Sequence, residues 1–263
     1  MIYHYCDEYA FRQILETKIL WLSDITMMND KNEYKTGFRI ILDILKEYPD
    51  LDKKVSTEMS PDNINRTFKV LIVCFSRNGD LLSQWRAYAD DGKGLSIGFD
   101  MELIKRNNMF NRYLERMEPI SSKIEFISVN YDQATFEKEV HDQIRAYKDS
   151  SSPIKFKLLA RVLMYLAIRY KNDFFSEENE VRGFIAPEDD IKNDDFEVET
   201  RDCSYGVTYY HKLLTSFQNI HAINEVIIGP KCNYTVEDVD GLLKSTGLEH
   251  VTVKYSSGTG RYR

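Results

Sequence analysis

Residues 70–76 read Val70-Leu71-Ile72-Val73-Cys74-Phe75-Ser76. Residues 70–75 form a continuous apolar run rich in β-branched side chains, without the alternation of a strand that has one wet face. The run therefore predicts a central strand covered on both sides. Working upstream, residues 2–5 read as a strand, and Asp7 is placed to cap a helix in which Phe11, Ile14 and Leu15 recur at helical spacing. A second strand is expected at 19–22. After the polar stretch Met28-Asn29-Asp30-Lys31-Asn32-Glu33, the residues Phe38, Ile41, Leu42 and Leu45 mark an amphipathic helix. Residues 49–66 are polar and are expected to be a surface connection.

Downstream, residues 81–89 suit a short helix. Asp90-Asp91-Gly92-Lys93-Gly94 is turn chemistry, and a strand is expected at 95–99. Further strands are expected at 124–129, 181–186, 207–211, 226–228 and 251–255. Ser150-Ser151-Ser152-Pro153 precedes the most apolar helix, 154–170, whose Leu158, Leu159, Val162, Leu163 and Leu166 form a broad buried face. The run 188–199, with Asp189, Asp190, Asp194, Asp195 and Glu197, reads as a solvated loop. Thr235 and Asp238 open a helix as a capping box, and Gly247 is placed to end it. The pattern predicts an α+β fold in one domain over 1–263, with a helical segment around 136–172.

Composition narrows the function classes. A chain of 263 residues with 43% hydrophobic content has material for a substantial core. A net charge of −7 argues against non-specific coating of nucleic acid, which clustered Lys and Arg drive. Cys6, Cys74, Cys203 and Cys232 form no C-x-x-C pair, so buried thiols are expected rather than a zinc knuckle or a disulfide framework. No apolar run approaches the roughly 20 residues needed to span a bilayer. The N-terminal residues lack the pattern of a secretory signal, so the expected location is the cytoplasm. Dinucleotide, P-loop, zincin and nucleophile-elbow motifs are missing, and the five histidines show no metal-ligand spacing; no metal is expected.

The chemically suggestive residues fall at strand ends, where sites are commonly built. His4 lies between Tyr3 and Tyr5, so alternation sends it to the face opposite the two tyrosines. A lone histidine is more often a hydrogen-bonded packing residue than a functional one. Asn29-Asp30 with Glu33 could be no more than an Asx-turn. Ser76, Ser83, Gln84, Trp85, Arg86 and Tyr88 cluster after the central strand. Trp85 could roof the core, while Gln84 and Arg86 would suit a ligand carrying phosphate or amide groups. Glu178 and Glu180 stand at the mouth of the strand expected at 181–186. They form either a charged strand entry, with Arg182 paired to a neighbouring carboxylate, or the wall of a cleft shared with His4.

These residues carry a resemblance. Tyr3-His4-Tyr5, Trp21-Leu22-Ser23, Asn29-Asp30, Cys74-Phe75-Ser76, Ser83-Gln84-Trp85-Arg86, Gly92-Lys93-Gly94, Glu178-Asn179-Glu180-Val181-Arg182, Ile228-Gly229-Pro230 and Arg261-Tyr262-Arg263 together resemble the bacterial family DUF2971 over essentially the whole chain. The family name carries no activity. The opening strand–helix–strand and the E-x-E of Glu178 and Glu180 also resemble ADP-ribosyltransferase-like folds. That resemblance implies a central, mostly antiparallel split β-sheet with flanking helices. It implies NAD as substrate, with His4 bonding its ribose or carboxamide. Glu180, or Glu178, would stabilise the charge that develops as nicotinamide departs. Tyr5, Trp21, Ser76, Ser83, Gln84, Trp85, Arg86 and Tyr88 would complete the NAD site, with Trp85 or Tyr88 stacking on nicotinamide. Glu225 competes for the carboxylate role from the start of another strand.

The leading expectation is transfer of ADP-ribose to a macromolecular acceptor, protein or nucleic acid, in a toxin or phage-defence setting by analogy. The alternative is a non-catalytic module that senses a nucleotide-like ligand or binds a partner protein. A metal-dependent nuclease is disfavoured for want of an ordered carboxylate motif. The readings turn on whether His4 and the Glu178 and Glu180 pair face each other across one pocket.

Overall fold

A computed structural model describes residues 1–25, 33–60, 70–116, 124–148, 152, 154–185, 199–203 and 206–261. Strand β1 (Ile2–Cys6) leads into α1 (Glu8–Thr17), whose first turn is closed by Asp7 accepting from the Ala10 amide. Lys18, in the left-handed region, ends that helix, and β2 (Ile19–Asp24) follows. Next come α2 (Glu33–Leu45) and α3 (Pro49–Glu58), where a polar connection was expected. Pro49 opens α3, and Leu51 and Val55, one turn apart, are its buried contacts. Two apolar positions are a thin stripe, which is why the segment reads as polar in sequence.

The central run is β3 (Leu71–Ser76), followed by α4 (Leu82–Tyr88), β4 (Leu95–Phe99), α5 (Met101–Arg116) and β5 (Glu125–Ser128). Helices α6 (Gln133–Lys148) and α7 (Lys155–Arg169) precede a 3-10 turn over Asp173–Glu178, which leads into β6 (Glu180–Ile185). The rest comprises β7 (Glu199–Cys203), β8 (Gly206–Leu214), the hairpin β9 (Ser216–Phe217) and β10 (Ile220–His221), β11 (Ile223–Ile228), α8 (Val236–Ser245) and β12 (Thr252–Tyr255). The Thr235 and Asp238 capping box opens α8.

Among the described residues, ten strands form one mixed, mostly antiparallel sheet in the order β12-β11-β4-β1-β3-β2-β8-β7, with β6 paired to β3 and β5 to β6. The pairing of β11 with β12 is parallel. A strand has two edges, and β6 occupies one edge of β3 along its whole length. The other edge is shared: β2 pairs at Leu71 and Ile72, and β1 at Ser76. Between these contacts β1 and β2 part, and the sheet divides into two wings that meet on β3.

The faces of the sheet carry different cores. Ile2, Cys6, Leu22, Val73, Phe75, Ile97, Phe99, Val181 and Val226 pack on one face with Phe11 and Leu15 of α1, Ile104 of α5 and Val239 of α8. On the other face, Ile72 and Phe184 meet Ile41, Val55, Val140 and Leu163 of α2, α3, α6 and α7. Further along that face, Tyr5, Trp85, Ala89 and Ile227 form a small aromatic cluster under α4. No helix among the described residues is long and apolar enough to cross a membrane.

Candidate functional site

Between the two clusters of the second face lies a polar strip at the C-terminal end of β3. Register sets it: Ser76 pairs with Glu180 and Cys74 with Arg182, so these four side chains share one face. Glu180 and Arg182 are 6% and 2% exposed. Arg182 grips Glu180 with two parallel bonds, Nε to Oε1 at 2.8 Å and Nη2 to Oε2 at 3.0 Å, and its Nη1 donates to the Ile168 carbonyl. Lys171, 5% exposed, reaches from beyond α7 to bond Glu178 at 2.5 Å and Glu180 at 3.2 Å. Two cations and two carboxylates therefore neutralise one another out of water.

Burial raises the Glu180 carboxyl above its ordinary range, and the Lys171 ammonium pulls it back. Burial works against the Lys171 ammonium, but Glu180 and Glu178 outweigh it and raise its pKa. Burial lowers the Arg182 guanidinium to about 10, which leaves it charged at neutral pH. Cys74, partly exposed, has its thiol pushed well up by burial and by the Glu180 carboxylate; it is no thiolate nucleophile. Tyr131 accepts the Glu180 amide at 2.9 Å. The Tyr88 hydroxyl is raised to about 12 by burial and by Glu178, while the residue as a whole is 43% exposed.

The two acids have different freedom. Both oxygens of Glu180 are held, by Arg182 and Lys171. Glu178 gives one oxygen to Lys171, and the other has no protein partner among the described residues. Its backbone carbonyl accepts from Ser76 Oγ at 2.7 Å, which ties the turn to the end of β3.

His4 does not join this group. Tyr3 pairs with Ser76, so Tyr3 and Tyr5 point to the polar face and His4 to the opposite, apolar one. There its ring meets Phe75 edge-on at 5.9 Å. Its Nδ1 lies 3.1 Å from the Cys74 carbonyl; a carbonyl only accepts, so Nδ1 carries the proton. That carbonyl sits where β3 has lost β2 and not yet met β1. The imidazole thus supplies a hydrogen bond that no strand can supply there, and burial lowers its pKa. The expectation that His4 and the Glu178 and Glu180 pair share a pocket is corrected: the sheet itself separates them.

The other candidates divide in the same manner. Trp85 is 2% exposed and donates to Asp80 at 2.7 Å, so it roofs the core. Tyr5 stacks edge-on against it at 4.8 Å, donates to the Asn78 carbonyl and accepts the Leu81 amide, fixing the turn before α4. Gln84 is buried, Arg86 is exposed, and Ser83 holds a buried hydroxyl without a partner among the described residues. Trp21 is exposed on the β2 wing. Glu225, Gly98, Tyr3, Ser76 and Glu180 form one transverse row on neighbouring strands. Four strand spacings put Glu225 roughly 19 Å from Glu180, too far to share a substrate atom with it. Glu225 instead pairs with Lys254 at 2.8 Å, and burial and Glu225 together raise the Tyr3 hydroxyl to about 12. Asn29 and Asp30 lie outside the described residues.

Sequence reasoning missed Lys171 and Tyr131. It expected Arg182 to pair with a neighbouring carboxylate at a charged strand entry, and Arg182 does bond Glu180, with both side chains buried. The Glu180-x-Arg182 alternation did carry the signal, because residues two apart on a strand share a face. Among the described residues, no group of three or more His, Cys, Asp or Glu could hold a metal ion.

No curated protein and no solved structure matches the chain. The sequence model of a family described as "Protein of unknown function (DUF2971)" matches residues 84–183, from Gln84 in α4 to Gly183 in β6. That match supports the resemblance to DUF2971 over the segment holding Tyr88, Lys171, Glu178, Glu180 and Arg182, while His4 and Trp21 fall outside it.

Proposed function

We propose that the chain is a binding module for a nucleotide-like ligand seated on the polar face beside Cys74, with Glu178 as the carboxylate that meets it. One observation carries this reading: of the two acids fixed by the Lys171 and Arg182 network, Glu178 alone keeps an oxygen without a protein partner among the described residues. A carboxylate held by one oxygen and open at the other accepts hydrogen bonds from a vicinal diol such as a ribose. Tyr88, 43% exposed and near enough for Glu178 to act on its hydroxyl, offers an aromatic surface to a base. Glu180 acts through Lys171, fixing the charge that orients Glu178.

The division of the sheet between β1 and β2 favours a second, catalytic reading, ADP-ribosyl transfer from NAD, with Glu178 in the role first given to Glu180. In that reaction the bond from the ribose carbon to nicotinamide breaks, its electron pair leaves with nicotinamide, and an acceptor nucleophile bonds the same carbon. Glu178 would stabilise the positive charge between those events. His4 has no part in it.

Calorimetric titration of ADP, ADP-ribose and NAD into the purified chain tests the binding reading. Saturable binding weakened at least tenfold by Glu178→Gln is expected. Absence of binding by all three at millimolar concentration overturns it. Release of nicotinamide from labelled NAD, lost in Glu178→Gln, would replace the module with the transferase.

A further inference from the structure

The β2 wing holds a cation that the network above does not explain. Glu199 and Arg201 lie two residues apart on β7 and share a face, opposite Tyr210 and Thr208 of β8. The Glu199 carboxylate is already engaged, accepting from the Tyr210 hydroxyl at 2.6 Å and pairing with Lys212 at 2.5 Å. Arg201 has no carboxylate partner among the described residues. Its Nη2 lies 3.3 Å from Ser23 Oγ, and its Nε–H is buried with no acceptor among the described residues. Its guanidinium is laid 4.9 Å from the ring centre of Trp21, an indole that is 48% exposed and itself 4.9 Å from the Tyr210 ring.

A guanidinium held 4.9 Å from the centre of an aromatic ring is positioned by it, and its N–H donors form a planar fork that matches two phosphate oxygens. A buried guanidinium N–H with no acceptor among the described residues is completed by an anion. Trp21 and Ser23 also face the same side as Cys74, since Ser23 pairs with Ile72 and Cys74 follows two residues later. The platform and Glu178 are therefore on one face of the sheet, the platform on the β2 wing and Glu178 across β3, beside β6.

We propose that Arg201, supported by Trp21 and Ser23, is the phosphate-binding residue of this face and holds the diphosphate of a nucleoside diphosphate derivative. The proposal rests on the nucleotide-like reading for its full ligand, but its anion half stands alone. Inorganic pyrophosphate is the direct probe. Of the two tryptophans, Trp85 is buried and Trp21 exposed, so fluorescence quenching reports on Trp21. Saturable quenching by pyrophosphate is expected, weakened at least tenfold by Arg201→Ala and only partly restored by Arg201→Lys, which keeps the charge and loses the fork. Arg201→Gln, which keeps a planar amide on the indole, serves if Arg201→Ala fails to fold.

In parallel, Arg201→Ala should lower the affinity for ADP at least tenfold and leave that for adenosine unchanged. No saturable pyrophosphate effect in the wild type, or equal affinity in Arg201→Ala, overturns the proposal. Pyrophosphate binding that depends on Arg201, with no binding of ADP or adenosine, would uphold the anion site and sink the nucleotide reading instead.

Discussion

On one face of the sheet His4 sits among Ile2, Cys6, Val73, Phe75, Ile97 and Phe99; on the other, a few ångströms through the same strands, Glu180, Arg182 and Lys171 are buried as ions. Both regions keep polar groups out of water, by different means. The apolar face holds one neutral imidazole, whose proton satisfies a carbonyl stranded at the parting of β1 and β2. The polar face holds a charge-balanced network that leaves one carboxylate oxygen uncommitted among the described residues. Ionised groups occur on the face that carries the proposed site and are excluded from the face that only packs, so the two faces differ in a way no sequence motif states.

The sharpest way to break this comparison is to unbalance the network. Glu180→Ala leaves Arg182 and much of Lys171 as uncompensated buried charge, and should cost about 3–5 kcal/mol in urea unfolding. Removing Glu180 and Arg182 together, as Glu180→Leu with Arg182→Met, leaves Lys171 paired with Glu178 and should recover most of that loss. A cost below about 1 kcal/mol for the single change would place these residues in the screened regime of surface pairs and end the distinction between the faces.

His4→Ala is the counterpart on the apolar face. It strands the Cys74 carbonyl and leaves a small void beside Phe75, for an expected loss of about 2–3 kcal/mol. Affinity for the ligand of the polar face should be unchanged in the folded variant. Unchanged stability with ligand binding abolished would mean that His4 acts in the site after all.

Much of the fold was legible because local chemistry decides it. The uninterrupted run ending at Phe75 is β3, the Asp7 cap opens α1, and Thr235 with Asp238 opens α8. Residues 95–99 form β4 as expected. Helix α3 was hidden because two buried residues make too faint a stripe, and α5 because the polar run Lys105, Arg106, Asn107, Asn108 interrupts its apolar positions. The site was legible in composition and illegible in arrangement. Tyr3-His4-Tyr5 states that His4 opposes its neighbours, but only the pairing of Tyr3 with Ser76, more than seventy residues away, states which face holds Glu180. Register between distant strands is a tertiary quantity, and no local pattern encodes it. Lys171 escaped notice for the same reason: its charge matters only because the chain turns back to lay it beside Glu178 and Glu180.

The smallest expected effect distinguishes the faces by the sign of their response to acid. Burial lowers the pKa of His4, and burial together with the neighbouring His250 ring lowers that of His221, which lies 5.3 Å away between ring centres. Below an unfolded value of about 6.5 the unfolded chain therefore binds more protons than the folded one, so stability falls as pH drops through this window and is flat above it. Glu180 has the opposite sign: its raised pKa lets the folded state take a proton first, so acidification works in its favour. Urea midpoints at pH 7.5 and 5.5 should show the wild type weaker at the lower pH. His4→Gln should flatten that slope, and Glu180→Gln, in which the acid-side gain is gone, should steepen it. A slope unaltered by His4→Gln would mean that the imidazole titrates as freely in the fold as in the unfolded chain, and that the apolar face does not exclude its charge.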